Sequence, residues 1–422
     1  MRIKDYIAKN QIYALLAKGV DGVKIITINI IIARMLGPEI YGKFAYVIGV
    51  ISILAIIAEF RLQAILVKEL AVAERSGRSV LLSNAFAINV VFSLFGTMLG
   101  LFYFLIETDE VLGLAIFLAS LSYIFNIPRF LRAFYISQEK NVLIAKSELF
   151  ASLITIAIVV VAVTRQIEWQ YLPVLRLMDY MYVSMFFLMF FYYYHSEKII
   201  FKSVNIKKSI SLIKKSSPLV LSGVAMILFQ RMDLIMIRNI LTDVDVGYYS
   251  AAANYMMLFS LAPMVVSESL GPKIFRGSKG RDEKKKFILF IMAFGLLMSI
   301  LMLITGIYLI PFLYGSQYTN SILPHLALSL CPFLVASGAA AGQLIVSDET
   351  QGRAYWKSVW ACVINFILNL VLIPVYGIFG AALATVVGFF VANILGHWFV
   401  KEYRYIFYIQ INFFLPWRLG FK

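Results

Sequence analysis

The chain has 422 residues, of which 61% are hydrophobic and 14% charged, and its formal net charge is +15. Aqueous domains hold about 45–50% apolar and 25% charged residues, so a water-soluble class is excluded and a polytopic membrane class is indicated. The positive excess is what inward-facing membrane loops carry, so it implies no nucleic-acid partner.

Hydropathy predicts an all-α integral membrane protein with about twelve spans, at about 12–33, 44–66, 81–105, 111–136, 147–164, 171–194, 218–238, 247–270, 287–311, 324–346, 356–374 and 378–400. The strand alternation of a membrane barrel is absent. In the first span Lys18, Asp21 and Lys24 recur every three residues, which places them within one arc of roughly 120°. Each charge near a helix centre costs about 2.5–3.5 kcal/mol on insertion scales, so this stripe is expected to face a bundle interior or a wet cavity. Gly37 and Pro38 break the helix that follows.

Glu59 and Arg61 fall near the end of the second span, where they can snorkel. On the fourth span Arg129 and Arg132 lie one turn apart behind Pro128, with no acid nearby in sequence. A guanidinium pair on one face suits phosphate oxygens; the alternative is that both reach headgroups or loop carbonyls. Arg176 and Asp179 are one turn apart on the sixth span, so they can pair with each other or serve a cavity. On the seventh, Arg231 and Asp233 are about 200° apart and cannot share a face. The candidate cationic path is therefore Lys18, Lys24, Arg129, Arg132, Arg176 and Arg231, with Asp21, Asp179 and Asp233 as charge-balancing or ion-coupling groups.

The basic loops alternate with poor ones, and the acidic loop Glu107-Thr-Asp-Glu110 falls on the poor side. The rule for basic loops puts both termini in the cytoplasm. The longest inner connection separates an amino-terminal six-helix bundle, 1–200, from a carboxy-terminal one, 218–400. Within the connecting 201–217, Ile206, Ile210 and Ile213 share one helical face and Lys207, Lys208, Lys214 and Lys215 another. This reads as an amphipathic linker on the anionic leaflet, or else as a solvated basic loop. The tail 401–422, with Phe413, Phe414, Trp417 and Phe421, reads as interfacial.

A repeat joins the halves. Arg34-Met-Leu-Gly-Pro-Glu-Ile-Tyr-Gly follows the first span and Arg238-Asn-Ile-Leu-Thr-Asp-Val-Asp-Val-Gly the seventh; Ser137-Gln-Glu-Lys ends the fourth and Ser347-Asp-Glu-Thr the tenth. Offsets near 204 and 210 residues fit two six-span halves of like orientation. Cys331 and Cys362 give no disulfide framework, and His195, His325 and His397 are scattered, so neither metal nor cofactor is expected. There is no phosphate-binding GxxxxGK[ST] loop and no nucleophile–base set, which argues against an ATP motor and against an enzyme.

Arg34-Met-Leu-Gly-Pro-Glu-Ile-Tyr-Gly-Lys-Phe-Ala-Tyr resembles the amino-terminal signature of Wzx-type polysaccharide repeat-unit flippases, in the multidrug/oligosaccharidyl-lipid/polysaccharide exporter superfamily. Asn369-Leu-Val-Leu-Ile-Pro-Val-Tyr-Gly-Ile-Phe-Gly-Ala-Ala-Leu-Ala-Thr385 is similar to that superfamily's eleventh-to-twelfth helix junction. The resemblance implies two pseudo-symmetric six-helix bundles in a V and alternating access across a bacterial inner membrane. It also implies a cationic cavity for an undecaprenyl-pyrophosphate-linked oligosaccharide, such as an O-antigen or capsule unit. The expected partners are that lipid-linked glycan, the bilayer, H⁺ or Na⁺ as coupling ion, and a polymerase and chain-length regulator of the same pathway. The alternatives are an ion-coupled multidrug exporter of the same fold and a membrane glycan polymerase or ligase.

Overall fold

The computed structural model describes residues 3–194, 199, 203–277, 280–348, 350 and 355–414, and among them every regular element is helical. His195, Trp417 and Phe421 lie outside the described residues. The chain forms two compact units, Met1–Met35 with Lys43–Ile227, and Leu36–Gly42 with Leu228–Lys422.

The first unit starts with α1 (Ile3–Glu59), which is interrupted at Gly37. It continues through α2 (Leu62–Val72), α3 (Arg75–Ile106), α4 (Glu110–Ser120), α5 (Ser122–Phe125), a 3-10 turn at Ile127–Phe130, and α6 (Leu131–Ser137). Then come α7 (Asn141–Thr164), α8 (Leu172–Leu177), α9 (Asp179–Tyr194) and α10 (Ile206–Ile240), whose last turns enter the second unit. That unit holds α11 (Asp243–Gly277), α12 (Arg281–Tyr314), α13 (Ile322–Leu328), α14 (Cys331–Ser347), α15 (Tyr355–Phe390), a π turn at Val391–Leu395, α16 (Gly396–Phe399) and α17 (Arg404–Phe414).

Among the described residues seven helical stretches are long and apolar enough to cross a membrane, and two bent pairs raise the number to nine. Two of the stretches, of 61 and 44 residues, are each long enough for two crossings of about 20 residues. They are interrupted at Gly37 and Gly377, both with positive φ. With α10 the count agrees with the expected twelve.

The helices sort their faces as lipid-facing helices must. On α3, Val91, Leu94, Phe95, Met98, Leu101, Phe102 and Leu105 are exposed, a stripe at helical spacing. The opposite face carries Gly96 and Gly100, where a Cβ would collide with Ala58 and Tyr123, and with Ser120, respectively. Small residues thus let neighbouring helices approach, as packing inside a bilayer requires. One core gathers Leu66, Leu82, Phe134, Tyr135 and Phe187 in the first unit; another gathers Ile288, Met292, Leu344 and Ile406 in the second.

The two halves repeat each other in finer detail than the end motifs suggest. The fourth and tenth spans are both broken, by 46° at Phe125/Ile127 and by 44° at Leu328/Cys331. Pro128 and Pro332, at the start of the second piece in each case, are 204 residues apart. Proline there has no N–H to donate backward, so the helix turns instead of continuing. Past the break, Arg78 of α3 donates to Gln138 at the end of α6 (3.4 Å), and Lys284 of α12 meets Asp348 at the end of α14 (2.5 Å). These are the ends that carry the repeated Ser-Gln-Glu and Ser-Asp-Glu motifs.

The Gly37-Pro38 motif also finds its reason here. Gly37 has φ +82°, and Leu36–Gly42 folds as part of the second unit. Tyr41 is fully buried there, accepts a hydrogen bond from Asn254 Nδ2 at 2.6 Å, and packs beside Tyr314 and Tyr318. Gly42 and Gly247 allow backbone to meet backbone: a Cβ on either would run into the carbonyl of Asp243 or of Pro38.

One expectation changes form. The basic stretch 207–215 is not a separate surface helix but the opening turns of α10, which runs unbroken to Ile240. Leu212 is buried against the first unit's core, and Lys215 pairs with Glu69 at 2.5 Å, so packing holds these turns in line with the span. At the other end of the chain, α17 docks on the second unit. Gln410 donates to Ser337 Oγ at 2.8 Å and to the Asn393 carbonyl at 2.9 Å, while its Oε1 lies 3.0 Å from His397 Nδ1.

Candidate functional site

Intramembrane charge collects in two places, one in each unit. In the first unit, Lys24 of α1 is 2% exposed and sits between two carboxylates. It donates to Asp21 Oδ1 at 2.6 Å, one turn back, and to Asp179 Oδ2 at the start of α9. The three-residue stripe therefore winds from an exposed Lys18 through a half-buried Asp21 to a buried Lys24. Lys18 does not share the interior environment of Lys24.

Arg176 and Asp179 do not form the expected one-turn ion pair. The helix is interrupted between them, α8 ending at Leu177 and α9 starting at Asp179, and Asp179 turns to Lys24 instead. Among the described residues Asp179 Oδ1 has no hydrogen-bond partner, and the buried Arg176 is held in no ion pair. Arg132 is not unpaired as its sequence neighbours imply. Glu148 of α7, 3% exposed, accepts from its Nη1 at 2.8 Å. The α6–α7 hairpin brings the two level although they are sixteen residues apart. Arg129 lies over the Tyr180 ring, 4.8 Å from its centroid.

Arg129 opens onto a cavity of about 540 Å³ inside this unit, which Ser52, Glu59, Arg61, Asn89, Asn126 and Tyr180 also line. Lys24, Arg132 and Arg176 are not on its wall. Glu59 and Arg61, expected at the membrane surface, are. Glu59 Oε1 accepts from Asn126 Nδ2 at 2.7 Å. Among the described residues neither the Arg61 nor the Arg129 side chain takes part in an ion pair or a hydrogen bond.

The second unit holds Asp233, 3% exposed, in a cage of neutral donors. Tyr249 Oη and Thr385 Oγ1 each donate to Oδ2 at 2.6 Å, and Asn369 Nδ2 donates to Oδ1 at 2.6 Å. Asn365 Oδ1 accepts the second Asn369 hydrogen at 3.1 Å. Arg231, two residues before Asp233, is half-buried and takes no part in the cage. Three neutral donors thus hold the carboxyl group in place.

Sequence reading thus finds Asp21, Lys24, Arg129, Arg132, Arg176 and Asp179 in one unit and Arg231 and Asp233 in the other. It misses Glu148, Tyr180, Asn126, Tyr249 and Thr385, none of which stands out locally. Asn365 and Asn369 carry a readable signal, two amides one turn apart on a single face of an apolar span.

The sequence pattern of the family described as "Polysaccharide biosynthesis protein" matches residues 7–278. The "Probable low-salt glycan biosynthesis flippase Agl15" of Haloferax volcanii is 25% identical over 202 residues, covering 46% of this chain and 42% of that protein. The chain spans about half the length of the curated relatives it matches. Among solved structures, "Lipid II flippase MurJ, inward closed conformation" has a TM-score of 0.74 at 15% identity, covering 97% of this chain and 93% of that one. An inward-facing multidrug resistance MATE family transporter of the MOP superfamily has a TM-score of 0.73 at 12% identity, covering 94% and 96%. At these identities the structural likeness carries the fold alone, that of the MurJ and MATE transporters. The family match extends over more than half of the chain, which therefore belongs to the polysaccharide biosynthesis protein family.

Proposed function

We propose that the chain is a flippase. It carries an undecaprenyl-pyrophosphate-linked oligosaccharide, an O-antigen or capsule unit, from the cytoplasmic to the periplasmic leaflet of a bacterial inner membrane by alternating access. The observation that carries the reading is the cavity wall on which Arg61 and Arg129 lie without an acid partner among the described residues. Arg61 is exposed and Arg129 half-buried, so two guanidinium groups face the cavity with Glu59 as the one carboxylate on its wall, an excess of positive charge that favours an anion there. The family match and the flippase named among the relatives support the same direction. A cationic-drug exporter would want the opposite wall charge.

In this reading Lys18, Lys24, Arg129, Arg132, Arg176 and Arg231 supply the cationic path. Asp21 and Asp179 hold Lys24 when the path is empty, and Asp233 in its neutral cage carries the coupling H⁺ or Na⁺. Both termini are cytoplasmic, and a polymerase and chain-length regulator receive the product.

The test is leaflet exchange in sealed proteoliposomes holding fluorescent undecaprenyl-pyrophosphate oligosaccharide, read with a membrane-impermeant quencher. The wild-type protein accelerates exchange, and Arg129→Ala slows it at least about tenfold, since a charge-assisted hydrogen bond contributes about 1.5–3 kcal/mol and 1.4 kcal/mol is a factor of ten. Protein-independent exchange together with uptake of a cationic dye would move the chain to the drug exporters.

A further inference from the structure

The carboxy-terminal end of the second unit carries a patch built for the membrane surface. The 44-residue stretch Trp356–Phe399 is long enough to cross twice and is interrupted at Gly377, so its two ends lie on one side of the membrane. Trp356 and Trp360 at the first end are exposed, as are Trp398 and Phe399 at the second. Lys357 Nζ lies 3.1 Å from His397 Nε2, which sets both ends at one depth. Three of the five tryptophans of the chain stand here, and that marks the headgroup level, where an indole meets acyl chains with its ring and water with its N–H.

Helix α17 follows, and it is apolar on both faces. Ile406, Ile409 and Gln410 are buried against the unit. Phe407, Tyr408, Ile411 and Phe414 recur at helical spacing on the outer side, partly or fully exposed, with Arg404 at the head of the same stripe. A helix that is hydrophobic all round does not lie against water, so lipid covers the outer face.

The charges in this patch are placed rather than scattered. A 3-10 turn, Lys401–Tyr403, leads into α17. Residues three apart eclipse in that geometry, so Lys401 and Arg404 stand on one side and Glu402 is turned about 120° away. The Arg404 guanidinium lies over the Trp398 ring, 5.5 Å from its centroid, and its Nε donates to the Trp398 carbonyl at 3.1 Å. Trp398 is itself held between Phe407 and Tyr408, with ring centroids 5.2 and 5.7 Å away. The two Nη groups of Arg404 are left for an acceptor, and this planar fork matches two oxygens of a phosphate. Among the described residues neither Lys401 nor Arg404 takes part in an ion pair.

We propose that this patch binds an anionic phospholipid. Arg404 takes the phosphodiester, Lys401 adds a second positive charge, and Trp398 and Phe399 lie along the glycerol and the upper acyl chains. A zwitterionic headgroup would bring its own ammonium group beside Lys401. A soluble phosphate would leave Trp356, Trp360, Phe399 and Phe414 uncovered. Gln410 of α17 donates to Ser337 of α14 and to the Asn393 carbonyl, so a lipid held at Arg404 also fastens the last helix to its unit. The site stands whether or not the chain is a flippase.

The purified full chain in neutral detergent is titrated with phosphatidylglycerol, phosphatidylcholine, soluble glycerophosphoglycerol and a polyglutamate peptide, and the bound species are counted by native mass spectrometry. The wild type holds phosphatidylglycerol at least about tenfold more tightly than phosphatidylcholine, as two basic contacts at a leaflet surface predict. Lys401→Gln with Arg404→Gln removes that preference; both side chains are exposed, so the fold does not hinge on them. Trp398→Leu, which keeps both charges and takes away the surface that holds Arg404, weakens phosphatidylglycerol binding too. Lys207→Gln with Lys208→Gln, which removes two exposed charges at the start of α10, leaves the tightest site intact. Equal affinity for the two lipids, the same loss in the Lys207 and Lys208 variant, or tighter binding of the soluble headgroup or of the peptide than of phosphatidylglycerol would overturn the assignment.

Discussion

Lys24 shows how a membrane interior prices a charge. It lies between Asp21 and Asp179, and the Asp179 side chain is 3% exposed, so neither charge can turn to water instead. Removing one member of a buried ion pair costs about 3–5 kcal/mol, because the other is left uncompensated, while replacing both with apolar groups is often neutral. Lys24→Met is therefore expected to lower the unfolding free energy by about 3–5 kcal/mol, and Lys24→Met with Asp179→Leu to recover most of it. Denaturant unfolding of the detergent-solubilised protein, followed by tryptophan fluorescence, checks the cycle. A double variant as unstable as the single one would mean that Asp21, not Asp179, is the partner that matters. Arg132 and Glu148 form a second such pair. Arg61 and Arg129 form no ion pair among the described residues, and the proposed flippase reading sets its anion beside them.

At the scale of elements, the positions that look weakest in the sequence are the ones that fix the packing. The segment 36–42 carries a glycine with φ +82° and a second glycine pressed on the backbone of α11. Gly42→Ala and Gly247→Ala each force a methyl group into a main-chain carbonyl, which no rotamer change relieves. Overpacking costs about 1–3 kcal/mol even where side chains can adjust, so each variant is expected to lose at least that much. Gly77→Ala is the control. Its Cβ would meet only Ala73 at 3.8 Å, and in the first turn of α3 alanine is accommodated without a clash and is the better helix former. A fall in melting temperature for the first two and none for the third is the expected pattern, read in a single thermal scan. Unchanged melting of all three would mean that segment 36–42 contributes nothing to the second unit. The broken fourth and tenth spans follow the same logic, because a proline at the same register turns each helix by nearly the same angle.

For the whole molecule, the buried charge is divided between the two units. The arginine cavity belongs to the first unit and the Asp233 cage to the second. If Asp233 carries the coupling ion, Asp233→Asn removes the dependence of leaflet exchange on an imposed pH or Na⁺ gradient. Stability falls by about 1–3 kcal/mol, since an amide offers one acceptor oxygen where the cage presents three donors. Exchange rates measured with and without each gradient decide it. A variant that still responds to both gradients as the wild type does would transfer the coupling role to Asp21 or Asp179. The polysaccharide biosynthesis family and the MurJ and MATE fold set the frame for this experiment without choosing the ion.

The membrane class, the helical fold, the span count and the repeat are all legible in the order of the residues. Each rests on patterns local to 20 residues or so, and the bilayer imposes them on any chain that crosses it. That order also names most of the charged residues that gather in each unit, because a charge inside an apolar span has few harmless places to go. Which charge partners which is settled by the packing of the helices. Asp179 goes to Lys24 across 155 residues rather than to Arg176 three residues away, and Arg132 finds Glu148 on the next helix. Arg61, which reads as a snorkelling side chain, lies instead on the wall of a cavity. Partnership in a helix bundle is set by which faces meet and where a helix breaks, and a single helix does not encode either one alone.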